Sequence, residues 1–178
     1  MSAPQRKLIR EAVVDLLIGQ TEVGEKVFGN RIRPVHVTEL PCILVYALSD
    51  EREIWLSTPR TYKSSLVISV EIQVDSINTL DLELDALSSQ VEYLLHQDHT
   101  LSEVCEDVIH QSTDINLSDQ GEKLYGSAIL TYAMPYYYEA VRDPIYLKDF
   151  LRADIEYDIV GNPTGQIDAT DTVTGFYE

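Results

Sequence analysis

Cysteine is scarce in this chain of 178 residues. Cys42 and Cys105 are the only two, too few for a disulfide framework, so the fold must be held by its core. Long apolar runs are missing. The longest, Cys42–Leu48, has seven residues, whereas a membrane span needs about 20. Arg6, Lys7 and Arg10 imitate the charged start of a signal peptide. The apolar stretch after them is short, contains Asp15 and leads to no small-residue cleavage site. The expectation is a soluble protein made inside the cell. Positive charge is in short supply too: 13 Lys and Arg oppose 30 Asp and Glu, a formal net charge of −17. A reader of nucleic-acid phosphates or a docker on anionic membranes needs the opposite balance. The motifs GxSxG, GxxxxGK[ST], GxGxxG and DxDxDG are all absent, so the chemistries they serve have no anchor. There is no internal repeat, low-complexity tract or heptad array.

What is present is a globular composition, 44% hydrophobic and 24% charged, in a chain long enough to bury a core as one domain. Residues 4–18 read as a helix, with Leu8, Ala12, Leu16 and Ile9, Val13, Leu17 at helical spacing. Ser2 is a candidate cap, Pro4 suits the first turn and Gly19 can close it. Arg31–Val37 alternates loosely. After Pro41, Ile43–Tyr46 is a continuous β-rich run, expected to be covered on both faces. Ser49–Arg60 is polar around Trp55 and reads as a short edge strand or a long loop tip. Tyr62–Asp75 is the clearest strand, its Leu66, Ile68, Val70, Ile72 and Val74 alternating with Val67, Ser69, Glu71 and Gln73.

Thr79–Gln97 is the clearest helix, with an apolar stripe of Leu80, Leu84, Leu87, Val91, Leu94 and Leu95 and Asn78 or Thr79 as cap. A long hairpin follows: 108–117, a turn at 118–122, and a return strand at 123–138. After Ala140 the character changes. Pro144, an apolar-aromatic pattern and a Gly161–Gly165 turn cluster mark 141–178 as an extension or arm beside a 1–140 domain. The class is α+β: a mixed or antiparallel sheet with two main helices packed on one face, a long β-hairpin and a C-terminal extension.

Candidate chemistry is thin. Glu92, His96, His99, Cys105, Glu106 and His110 cluster in sequence, and His96 and His99 have a spacing that can bind a metal. No HExxH or CxxC element accompanies them, and surface histidines at a helix end, where the dipole favours His⁺, explain them better. Asp81, Glu83 and Asp85 read as an acidic helix face. Cys42 reads as a buried, inert thiol. No catalytic residue, metal ligand or cofactor is assigned. Tyrosine is the unusual residue, eleven against three Phe and one Trp. It suits protein interfaces, and aromatics wedged at strand ends are the other reading. Charge is unevenly spread: residues 1–63 hold nine basic and eight acidic residues, and residues 64–178 hold four and twenty-two. That excess is either solvated faces or one acidic surface turned to something that must not stick, or to a basic partner.

Four stretches in order carry a resemblance. They are Arg10-Glu11-Ala12-Val13-Val14-Asp15-Leu16-Leu17; Gly24–Arg31 with Pro34 and Glu39–Tyr46; the long alternating strand followed by Leu80-Asp81-Leu82-Glu83-Leu84-Asp85; and Gly126-Ser127-Ala128-Ile129-Leu130-Thr131-Tyr132. Over residues 5–138 the chain resembles the tail terminator proteins of long-tailed bacteriophages, the minor tail protein U type. The resemblance implies a small α+β subunit that closes into a homo-oligomeric ring, a hexamer, on the head-proximal end of the tail tube. The ring stops polymerisation and offers the head–tail joining surface.

The partners implied are other copies of the chain, the tail tube protein, the head–tail connector or neck protein and, where the tail is contractile, the sheath. DNA passes through the bore without sequence-specific binding, and no membrane is involved. The location implied is the virion tail or neck, after synthesis in the host cytoplasm. Acidic walls would let DNA slide where basic walls would grip it. The family has no catalytic residues to carry over. Candidate subunit or tube contacts are Arg31, Arg33, Arg52, Arg60 and Lys63. Candidate arm contacts are Tyr136, Tyr137, Tyr138, Tyr146, Phe150 and Tyr157. Two other readings stay open: a different neck or tail-completion adaptor that docks through 141–178, and a metal-dependent domain using His96, His99 and Glu106.

Overall fold

The computed structural model describes residues 4–58, 60–76, 79–120, 123–139, 152–157 and 169–174. Two compact units divide the chain, Met1–Ala140 and Val141–Glu178.

The first unit opens with helix α1, Gln5–Leu17. Pro4 stands at its N-cap, with its carbonyl accepting from Lys7 and Leu8; Ser2 lies outside the described residues. Gly19 closes the helix at φ 68°, and Gly24 (φ 62°) returns a carbonyl to the Gly19 amide, both in the left-handed region that glycine adopts without cost. A three-residue strand β1, Val27–Gly29, follows. Arg31–Val37 forms no strand; it leads to a single 3-10 turn at Val37–Glu39.

Strand β2 spans Cys42–Ser57 and β3 spans Arg60–Ser76. They form one long antiparallel hairpin, with register irregularities between Ala47 and Ser49 and between Ile54 and Leu56. Ser49–Arg60 is thus neither a short strand nor a loop. Most of it continues β2, and the pattern misses this because only the first four residues of β2 are buried. Helix α2, Leu80–Gln97, crosses back. Thr79 is its N-cap, but its hydroxyl donates to the Glu83 carboxylate at 2.6 Å instead of capping the backbone. Asn78 lies outside the described residues. A second hairpin joins β4, Ile109–Gln120, to β5, Lys123–Glu139.

The sheet is mixed, with strand order β1-β2-β3-β5-β4; β1 runs parallel to β2 and the other pairs are antiparallel. Register makes one core. Even-numbered residues of β3 (Leu66, Ile68, Val70, Ile72, Val74) face across to even-numbered residues of β5 (Gly126, Ala128, Leu130, Tyr132, Met134). Ile9, Val13 and Leu17 of α1 and Leu80, Leu84, Leu87, Val91 and Leu95 of α2 fill the same cluster. Leu94 is only partly buried. Gly126 permits the closest approach, since a Cβ there would lie 2.8 Å from Leu84 Cδ1 and 3.1 Å from Leu80. Cys42 and Leu44 are buried on the opposite face, so the start of β2 is covered on both sides. In the second unit, β6 (Arg152–Tyr157) and β7 (Ala169–Thr174) form an antiparallel pair. Among the described residues, no helix is long and apolar enough to cross a membrane.

Candidate assembly surface

The five candidate cations fall into two groups. Arg31 and Arg33 lie in the loop after β1. Arg52, Arg60 and Lys63 lie on the far half of the β2–β3 hairpin, roughly 20 Å further along β2 at about 3.3 Å per residue. Arg31 is built into its own subunit. Its guanidinium forms a fork with the Glu39 carboxylate at 2.9 and 2.6 Å, donates to the carbonyls of Arg33 and Pro34, and stacks 4.7 Å from the Phe28 ring centre. The Glu39 carboxyl also accepts from the His36 amide. The Arg31 hydrogen bonds, with that amide next, hold its pKa at about 2. Arg33 is exposed beside Ile32, which is 98% exposed.

On the hairpin the aromatics and cations interleave. The Tyr136 hydroxyl is 3.0 Å from each Asp50 carboxylate oxygen and accepts from Arg52 at 3.3 Å, while Arg52 also pairs with Asp50 at 2.9 Å. Tyr136 is buried, so this expected contact residue is a core residue. Tyr137, on the opposite sheet face, is exposed and stacks on Trp55 with ring centres 5.7 Å apart; Lys63 Nζ lies 5.6 Å from the Trp55 ring. Tyr138 is exposed beneath Arg52 at 4.8 Å. Arg60 is exposed at the hairpin end. Tyr146 and Phe150 lie outside the described residues, and Tyr157 ends β6. Sequence reading missed the pairing of Arg52 and Asp50 with Tyr136. The alternation of the Tyr136–Tyr138 run held the only signal that its members face opposite ways.

The sheet face away from the helices is acidic. By register it carries Glu51, Glu53, Glu71, Asp75, Asp114 and Glu139 and, among the residues whose side chains are described, one cation, Lys63. A shallow depression of about 410 Å³ on the hairpin is lined by Glu51, Arg52, Glu53, Lys63, Ile109 and Pro135 among others. Two histidines of the sequence cluster make local contacts. His96 Nδ1 lies 2.7 Å from the Glu92 carbonyl, and His110 Nε2 lies 2.9 Å from Thr113 Oγ1. Among the described residues, no group of His, Cys, Asp and Glu is placed to hold a metal ion. Burial pushes both thiols, Cys42 and Cys105, up to about 11.

Exposed apolar and charged surfaces over a two-helix core are features of proteins that work by contact with other chains. The particular family follows from comparison. The family model for phage minor tail protein U matches residues 4–136, and the chain belongs to that family. It is a structural component of a phage virion tail. It is also similar to a chain in the virion of a native gene transfer agent (GTA) particle. That likeness has 9% identity and a TM-score of 0.36, covering 71% of this chain and 94% of the other. No curated protein matches it.

Proposed function

We propose that the chain is a tail terminator: it closes into a six-membered ring on the head-proximal end of the tail tube, ends polymerisation there, and provides the surface on which the head connector docks. The observation that carries this reading beyond the family is the acidic sheet face. The sheet face away from the two helices carries six carboxylates and one lysine among the residues whose side chains are described. Turned to the bore, it would repel phosphates and let DNA slide. Residues 1–140 are the ring-forming domain, and residues 141–178 are an arm toward the neck. Electron microscopy of tails assembled with and without the gene tests the reading. Overlong or ragged tubes that never join heads are the expected result of its loss. Tails of normal length that lose heads or DNA would make the protein a neck adaptor instead. The strand pair β6–β7 in a unit of its own favours that second reading as a docking element. Deleting 141–178 should then remove one partner and leave tube length unchanged.

A further inference from the structure

Two surfaces of the first unit expose large apolar side chains and carry opposite charge. The first is the tip of the β2–β3 hairpin. Ile54, Trp55 and Leu56 are 56%, 53% and 50% exposed. From residue 54 to 63 the chain has two cations, Arg60 and Lys63, and no carboxylate; Glu53 stands across from Lys63 where the tip meets the rest of the sheet. The second is the outer face of α2. Leu82, Ala86, Ser89 and Tyr93 recur at i, i+4, i+7 and i+11, on the side opposite the buried stripe. Leu82 is 65% and Tyr93 is 67% exposed, on a face that a surface helix ordinarily keeps polar. The helix holds Asp81, Glu83, Asp85 and Glu92 and neither Lys nor Arg.

The two surfaces fit each other in charge and in apolar character, yet they cannot meet within one copy. The α2 stripe points away from the sheet, and the hairpin tip is part of that sheet. They are also poor partners for themselves, because tip against tip sets cation on cation and stripe against stripe sets carboxylate on carboxylate. A contact that is complementary only between unlike patches of two copies is heterologous, the kind a ring needs and one that closes when its rotation returns to the start.

We propose that the β2–β3 tip of one copy seats on the outer face of α2 of the next, with Trp55 and its apolar neighbours against Leu82 and Tyr93, and Arg60 and Lys63 against Asp81 and Asp85. The inference rests on the ring reading and names the surfaces that close the ring.

Sedimentation velocity and native mass spectrometry over a concentration series, on the full chain alone and with tail tubes, test it. Three variants are compared with the wild type: Arg60→Glu with Lys63→Glu, Asp81→Lys with Asp85→Lys, and all four together. Circular dichroism confirms that each variant is folded. Each one-sided variant should weaken self-association by about 100-fold or more, and the fourfold variant should recover most of that loss, because the charges are exchanged and not removed. Trp55 is the only tryptophan. Its emission should shift to the blue on assembly of the wild type and of the fourfold variant, and of neither one-sided variant. Rings that form equally well from the one-sided variants would overturn this contact and leave the ring reading standing. A wild type that stays monomeric alone and on tubes would overturn both.

Discussion

Arg31 is held by its own loop: a carboxylate fork, two carbonyls and an aromatic ring. Changing it to Glu would place a second carboxylate against Glu39, so the loop would suffer before any interface did. Arg33, Arg60 and Lys63 are the cleaner probes of contact. The Arg31–Glu39 pair has a pH signature. The Glu39 carboxyl falls from an ordinary 4.5 to about 2 on folding, so its contribution is complete above about 4.5 and is lost as pH falls toward 2. Glu39→Gln should therefore be less stable than wild type at neutral pH, and the gap should narrow between 4.5 and 2 in melts across pH. Tyr132 is the opposite case. Its ring is fully buried and lies 5.1 Å from the His110 ring, while its hydroxyl has no hydrogen-bond partner among the described residues. Burial pushes its pKa up. Removing an unpaired buried hydroxyl is neutral or favourable, so Tyr132→Phe should hold or raise the melting temperature, by up to about 1 kcal/mol in stability.

At the scale of elements, α2 and β5 are joined through a position where a side chain would crowd Leu80 and Leu84. Gly126→Val would drive two methyl groups into Leu80 and Leu84 and should cost about 1–3 kcal/mol, read as a lower urea midpoint with unchanged slope. Leu87, 3% exposed in the core stripe, should not accept Asp at all, since an unpaired buried charge exceeds what a domain of this size can absorb. Loss of the cooperative transition is the expected outcome. Both positions lie on elements that the sequence displays openly: α2 and β5 each bury one face, so their periods of 3.6 and 2 stand out. The outer half of β2 was illegible for the converse reason. Asp50-Glu51-Arg52-Glu53 has no buried face to impose alternation, and its strand state depends on hydrogen bonds to Lys63–Leu66 in β3. Strand β1 was invisible too, being three residues held by β2 alone.

At the scale of the molecule, charge separation in the sequence becomes separation in space. Carboxylates lie on the open face of the sheet and on α2, while Arg31, Arg33, Arg52, Arg60 and Lys63 lie on the β2–β3 hairpin and in the loop after β1, and Arg6, Lys7 and Arg10 lie on α1. If the acidic face lines the bore, replacing Glu51, Glu71 and Asp114 with Lys should still give particles, but DNA should leave them more slowly. Each lysine that meets a phosphate should steepen the dependence of log retention on log salt by about one, which timed ejection at low and high salt would measure.

The sequence by itself determined the two amphipathic helices, the long alternating strand, the return strand and the order of segments that mark the family, because each rests on local periodicity or turn chemistry. Only the tertiary structure decided which tyrosine is core and which is surface, that Arg31 belongs to its own loop, and that Arg52 meets Tyr136 across 84 positions of chain. Those facts depend on strand register. A slip of one residue would exchange the two faces of the sheet, and packing of the whole core, not any local pattern, fixes where the register stands.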